Sequence, residues 1–212
     1  MIFRVVSILL IAALLVYLIR KLKPNKITPK IVWQFCREDF KENLVIAWRI
    51  KSGSFFKKTK SIIVHICAAL FIILFITAFL PVVFGYHMSG LFMMVHASTA
   101  LLASICLVAF VFLFSNSNQL SLEELQNLAG NYRQKKTLDS RIMLKVLYWL
   151  IIALILPAML SIILMLYPLF GTDGLEFLAD VHRWSVLLLT ICVIFVQYYR
   201  ILKKHIENTK GV

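Results

Sequence analysis

Residues 61–84 read SIIVHICAALFIILFITAFLPVVF, and residues 89–114 read SGLFMMVHASTALLASICLVAFVFLF. From Ser61 to Leu122 the chain contains no Asp, Glu, Lys or Arg. Each run exceeds the roughly 20 apolar residues that a helix needs to cross the hydrocarbon layer of a bilayer. The backbone must be helical there, because lipid offers its amides no other hydrogen-bond partners. These two stretches therefore predict a pair of transmembrane helices.

Three further segments have the same character, at 2–19, 146–169 and 176–199. The chain has 212 residues, of which 61% are hydrophobic, and a soluble domain of this size has too little interior to bury them. We therefore expect an all-α integral membrane protein with five spans, in which a four-helix transmembrane bundle follows an N-terminal transmembrane anchor helix. The expected divisions are the anchor at 1–24, a cytoplasmic or interfacial amphipathic segment at 25–60, the bundle at 61–203 and a cytoplasmic tail at 204–212.

The basic residues predict the orientation of these spans. Of 23 Lys and Arg, 12 lie between Arg20 and Lys60, five between Arg133 and Lys145, and four from Arg200 onward. In a five-span chain these clusters fall on one side, which the positive-inside rule assigns to the cytoplasm. We expect a multi-pass protein of the cell inner (cytoplasmic) membrane, with its N-terminus outside and its C-terminus inside. Contact with anionic headgroups accounts for the net charge of +13, and no nucleic-acid partner is indicated.

Two polar segments on the cytoplasmic side have their own signatures. Residues 27–56 mix aromatic and charged side chains, which predicts an amphipathic helix lying in the membrane interface. A docking surface for a partner protein is the alternative. The SLEE sequence at 121–124 fits a helix-capping box and predicts a short surface helix that ends near Gly130.

Two histidines lie in the outer halves of spans that run in the same direction. His96 is about 7 residues into its span, roughly 10 Å deep at 1.5 Å per residue, and His182 is slightly less deep. Ionisable side chains inside a membrane are functional candidates by default, and paired buried imidazoles are typical axial ligands of haem. Small residues one turn away leave clearance for a macrocycle: Thr99, Ala100, Ala179 and Ser185. The alternative is two separate histidines, each bonded to backbone or to a hydroxyl.

Arg183 and His65 are the other candidate site residues. Arg183 follows His182, and its guanidinium suits the carboxylate of a haem propionate. The alternative is an Arg183 that extends to the outer headgroups. His65 lies near the cytoplasmic end of its span, where it suits a hydrogen bond to a quinone carbonyl, or it is a structural imidazole. A second haem shared by His65 and His205 would require the last span to extend and slide.

Several stretches together resemble the membrane cytochrome b (gamma) subunits of respiratory formate dehydrogenases and related hydrogenase and thiosulfate reductase complexes. They are KSIIVH at 60–65, ITAF at 76–79, LFMMVH at 91–96, LDSRIMLKVLYW at 138–149 and ADVHRW at 179–184. The resemblance covers about residues 57–203, which makes the bundle cytochrome b-like. It implies one haem b near the outer face on His96 and His182. It also implies a second haem on His65 and a later histidine, but IFVQYY at 194–199 stands there and lacks that ligand.

The function that this resemblance implies is electron transfer between an extracytoplasmic redox subunit and membrane quinone. That partner would be an iron–sulfur or cytochrome protein, and the chain would be a subunit of an oxidoreductase rather than a stand-alone enzyme. One alternative is a haem-free membrane anchor or assembly subunit whose histidines only pack. A small transporter that uses His65, His96 and His182 as proton relays ranks third.

Overall fold

The computed structural model describes residues 2–25, 27–35, 37–38, 41, 55–133, 139–167 and 169–210. Strands do not occur in this described part, and its regular structure is helical throughout. The main helices are α1 Ile2–Leu22, α2 Phe55–Phe84, α3 Gly90–Phe114, α4 Leu122–Arg133, α5 Ser140–Met165 and α6 Gly171–Lys210. All except α4 are long and apolar enough to cross a membrane, so the predicted multi-pass, all-helical character is confirmed. The four-helix bundle and the orientation stay predictions.

The chain divides into two compact units, residues 1–116 and residues 117–212. The first unit contains α1, α2 and α3, and α2 packs against α3. Lys60, near the start of α2, lies 5.1 Å from the ring centroid of Phe114 at the end of α3, so the two helices are antiparallel. Arg4 of α1 donates a 2.7 Å hydrogen bond to the Val83 carbonyl near the end of α2. The start of α1 and the end of α2 therefore lie together, as alternating spans require.

Gly85 makes the turn after α2 possible. Its φ of +76° is in the left-handed region that L side chains rarely adopt. A Cβ at this position would also overlap Nη1 of Arg4. The glycine thus permits both the turn and the close approach of Arg4, which links α1 to the end of α2.

The second unit is built on the packing of α5 against α6. Their buried residues include many small ones, which lets helices approach closely: Leu147, Tyr148, Ala158 and Ser161 of α5, and Leu178, Ser185, Leu187, Leu189, Thr190 and Cys192 of α6. The side chain of Asp139 accepts a 2.9 Å hydrogen bond from the Arg141 amide. This cap starts α5 six residues before the predicted span.

Helix α6 is longer than the predicted span at 176–199. It has 40 residues, which corresponds to about 60 Å and to roughly twice the hydrocarbon thickness of a bilayer. The helix therefore continues through His205 and into the predicted tail. In the segment predicted to be interfacial, residues 29–35, 37–38 and 41 are helical, and α2 already begins at Phe55. The remainder of that prediction, at 42–54, lies outside the described residues.

The predicted capping box is present before α4. The Ser121 amide donates to Glu124 Oε2 at 2.9 Å, and the Glu124 amide donates to Ser121 Oγ at 3.1 Å. The helix begins at Leu122 and ends at Arg133, three residues beyond the predicted end. Lys145 of α5 contacts both Glu124 carboxylate oxygens, at 2.6 and 2.8 Å. One glutamate therefore both caps α4 and holds it against α5.

We expect Glu124→Gln to lower the thermal stability of the protein at pH 7 but not under acid conditions. The hydrogen bonds from Lys145 and from the Ser121 amide lower the pKa of Glu124 below its ordinary value of 4.5. A carboxylate with a lowered pKa stabilises the fold above 4.5, and that stabilisation is lost as the pH falls through the lowered value. Thermal unfolding in detergent from pH 7 to pH 3, with Glu123→Gln as the control, measures this; equal behaviour of the two variants would contradict it.

Candidate cofactor-binding histidines

His96 is held by a threonine on the neighbouring helix. Its Nδ1 lies 3.0 Å from Oγ1 of Thr77, which is buried in α2. The same oxygen lies 2.8 Å from the Ile73 carbonyl and 3.1 Å from the Leu74 carbonyl, so the single hydroxyl hydrogen is directed to its own helix. When that hydrogen bonds a carbonyl of its own helix, Thr77 Oγ1 accepts from His96 Nδ1–H, so the contact favours the Nδ1-protonated tautomer. This arrangement assigns the lone pair of the neutral imidazole to Nε2.

His182 is held by a backbone carbonyl of the helix packed against it. Its Nδ1 lies 2.9 Å from the oxygen of Ala158 in α5. Because a carbonyl only accepts, Nδ1 must carry the proton, and Nε2 carries the lone pair of the neutral ring. The same carbonyl accepts a 2.9 Å hydrogen bond from Ser161 Oγ. Ala158 is 8% exposed and Ser161 is 1% exposed, so this polar cluster lies inside the α5–α6 contact.

His65 has a local version of the same bond. Its Nδ1 lies 2.7 Å from the Ser61 carbonyl, one turn earlier in α2. The proton is again assigned to Nδ1, and the ring is half-buried. This contact orients the imidazole from within its own helix. The proposed quinone or second-haem role of His65 stays a prediction.

The structure brings His96 to Thr77, and His182 to the Ala158 carbonyl, which also accepts from Ser161. His96 belongs to the first unit and His182 to the second, so their mutual ligation of one iron stays a prediction. The sequence prediction missed all three partner residues. A signal existed for two of them, because Thr77 and Ser161 are isolated hydroxyls in long apolar runs and such groups need a partner in lipid.

Arg183 has an acidic partner that the sequence prediction also missed. Its Nη1 lies 2.9 Å from Oδ1 of Asp180, three residues earlier on α6. Both side chains are about half exposed, at 52% and 50%. A propionate at Arg183 would therefore share the guanidinium with Asp180. The guanidinium has five N–H donors, which is enough for both carboxylates. The sequence contained a signal for this pair, because Asp180 lies three residues before Arg183 and that spacing brings two side chains together on a helix.

Within the described ranges, no three His, Cys, Asp or Glu side chains gather to hold a metal ion. A bis-histidine haem differs from such clusters because it takes only two protein ligands. The imidazole chemistry fits that group, since both candidate ligands have Nδ1 engaged and Nε2 as the basic nitrogen. Comparisons with protein families, with curated proteins and with solved structures give no match to this chain.

Proposed function

We propose that this chain is a b-type haem membrane subunit of a respiratory oxidoreductase complex. The observation that supports it is shared by His96 and His182, whose Nδ1 atoms both bond an oxygen of an adjacent helix. Histidines that bind metals almost always donate their second N–H to an oxygen in this way. The bond selects the tautomer and fixes the plane of the ring, and it makes Nε2 the nitrogen that would bind the iron.

The residues of the chain then have separable roles. His96 and His182 would supply the nitrogens that hold the haem, and the Thr77 hydroxyl and Ala158 carbonyl would orient the rings and increase their basicity. Haem b supplies a one-electron couple when bound. Arg183, whose side chain is 52% exposed, would bind a propionate beside Asp180. The position that the resemblance gives to the second ligand of an inner haem reads IFVQYY at 194–199, so we propose one haem and keep quinone as the ligand of His65.

Electron transfer requires partners, because the described connections on the predicted outer side of the spans are short. Five residues at 85–89 join α2 to α3, and five at 166–170 join α5 to α6. Neither connection can house a catalytic centre, so we place that centre on an extracytoplasmic iron–sulfur or cytochrome subunit. The chain would pass electrons one at a time between that partner and membrane quinone, whose two-electron reduction also takes up two protons from water. The site of action would be the cell inner membrane.

A haem-free anchor or assembly subunit is the second candidate. One observation favours it, since each histidine finds a hydrogen bond within its own unit, His96 to Thr77 and His182 to Ala158. Such bonds would satisfy a buried imidazole that only packs. In that case the two hairpins would serve to hold another subunit in the bilayer.

The visible spectrum of the purified full-length protein separates the two candidates. We expect a dithionite-reduced α-band at the b-type position and, by pyridine haemochrome assay, one haem b per chain. The sample is purified from its native membranes and checked for folding by circular dichroism. A folded, colourless preparation would refute the cytochrome and leave the anchor.

A further inference from the structure

A cleft of about 560 Å³ lies at the turn between α2 and α3. Its apolar walls are Leu80, Pro81 and Phe84 from the end of α2 and Phe92 from the start of α3. Phe84 is 65% exposed and Phe92 is 46% exposed, so a small molecule can reach both aromatic walls from outside the protein. The cleft is therefore an open apolar site at the ends of two candidate membrane spans.

This cleft lies one helical turn from the Thr77–His96 hydrogen bond. Pro81 follows Thr77 by four residues on α2, and Phe92 precedes His96 by four residues on α3. Residues four apart share one face of a helix, about 6 Å apart along its axis. A planar ring between Pro81 and Phe92 would thus lie just above the candidate haem ligand.

Three polar groups border the apolar walls. Tyr86, His87 and Ser89 line the cleft, and the first two lie in the exposed turn. Ser89 is the N-cap residue of α3, but its hydroxyl makes no capping hydrogen bond. Within the described part of the chain, no hydrogen bond is recorded for the His87 ring or the Tyr86 hydroxyl. Few polar groups around apolar walls are typical of a small-molecule site.

We propose that this cleft binds the headgroup of a membrane quinone, with a quinone carbonyl accepting a hydrogen bond from His87. The ring would pack between Pro81, Phe84 and Phe92. The identification of the ligand rests on the proposed function, and it adds a quinone site at the opposite end of α2 from His65. An anionic lipid headgroup fits less well, because the lining contains no Lys or Arg and nearby Arg4 bonds the Val83 carbonyl.

Binding of 2-heptyl-4-hydroxyquinoline N-oxide, a fluorescent quinol analogue, to the full-length protein in detergent tests the site. We expect His87→Ala and Phe92→Ala each to weaken binding about tenfold, as loss of one hydrogen bond or one apolar contact does. His87→Gln, which keeps an N–H donor, should restore most of the affinity. Leu91→Ala is the matched control, because Leu91 precedes Phe92 on α3, is 75% exposed and does not line the cleft, so this variant should bind normally.

Decylubiquinone should displace the probe, whereas phosphatidylglycerol vesicles should not. Displacement by the vesicles, no binding by the wild type, or unchanged affinity in both cleft variants would overturn the proposal. The haem spectrum of each sample is recorded in parallel. Normal haem with unchanged probe binding in the variants refutes the cleft alone, and a colourless protein whose binding depends on His87 refutes the cytochrome alone.

Discussion

His96→Ala and His182→Ala should each abolish the b-type absorption of the purified protein. Axial ligation by two imidazoles fails when either nitrogen donor is missing, and the remaining single ligand holds the group weakly. The expected result is loss of most of the bound haem from both variants, measured by pyridine haemochrome per mole of chain. His87→Ala is the control in the same hairpin, because this histidine is exposed in the turn and should leave the spectrum unchanged.

Each alanine variant also removes a hydrogen bond, so misfolding must be separated from loss of a ligand. In His182→Ala the Ala158 carbonyl still accepts a hydrogen bond from Ser161, so it keeps a donor. We expect the helical circular dichroism signal to persist and added imidazole to restore part of the absorption by occupying the vacated space. A full wild-type spectrum in either variant would contradict the assignment of that histidine as an axial ligand.

Local signals in the sequence predicted the helices well, because each of them acts over a few residues. The apolar runs predicted all five long helices, and the SLEE sequence predicted the capping box at Ser121 and Glu124. Helix ends were predicted less well. Helix α6 extends to Lys210, beyond the predicted end at 199. Hydropathy detects only the apolar part of a helix, and polar residues can continue the helix past that part.

The partners of the candidate ligands could not be predicted, because they depend on the register between helices. Nothing local pairs His96 with Thr77, 19 residues away, or His182 with the carbonyl of Ala158, 24 residues away. Every residue has a backbone carbonyl, so the sequence does not show that the carbonyl of Ala158 is the one that accepts from His182. Small side chains at the contact of α5 with α6 are what allow the imidazole to reach it.

Thr77→Val should weaken haem retention about 10- to 100-fold, the usual effect of removing the oxygen that orients a metal-bound imidazole. Valine has nearly the shape of threonine but no oxygen, so the Nδ1–H of His96 would lose its acceptor. A less basic imidazole also stabilises the oxidised iron less, and the midpoint potential should therefore rise. Haem transfer to excess apomyoglobin and a redox titration measure the two effects.

Thr190→Val is the matched control for this change. Thr190 is a buried threonine whose hydroxyl donates a 2.8 Å hydrogen bond to the carbonyl of Val186 in its own helix. Its replacement removes the same kind of helix-directed hydroxyl but leaves the bond between Thr77 and His96. Thr77→Ser, which keeps the oxygen, should stay near the wild type. If Thr77→Val and Thr190→Val have equal effects on haem retention and potential, Thr77 is only a packing residue and His96 is not oriented through it.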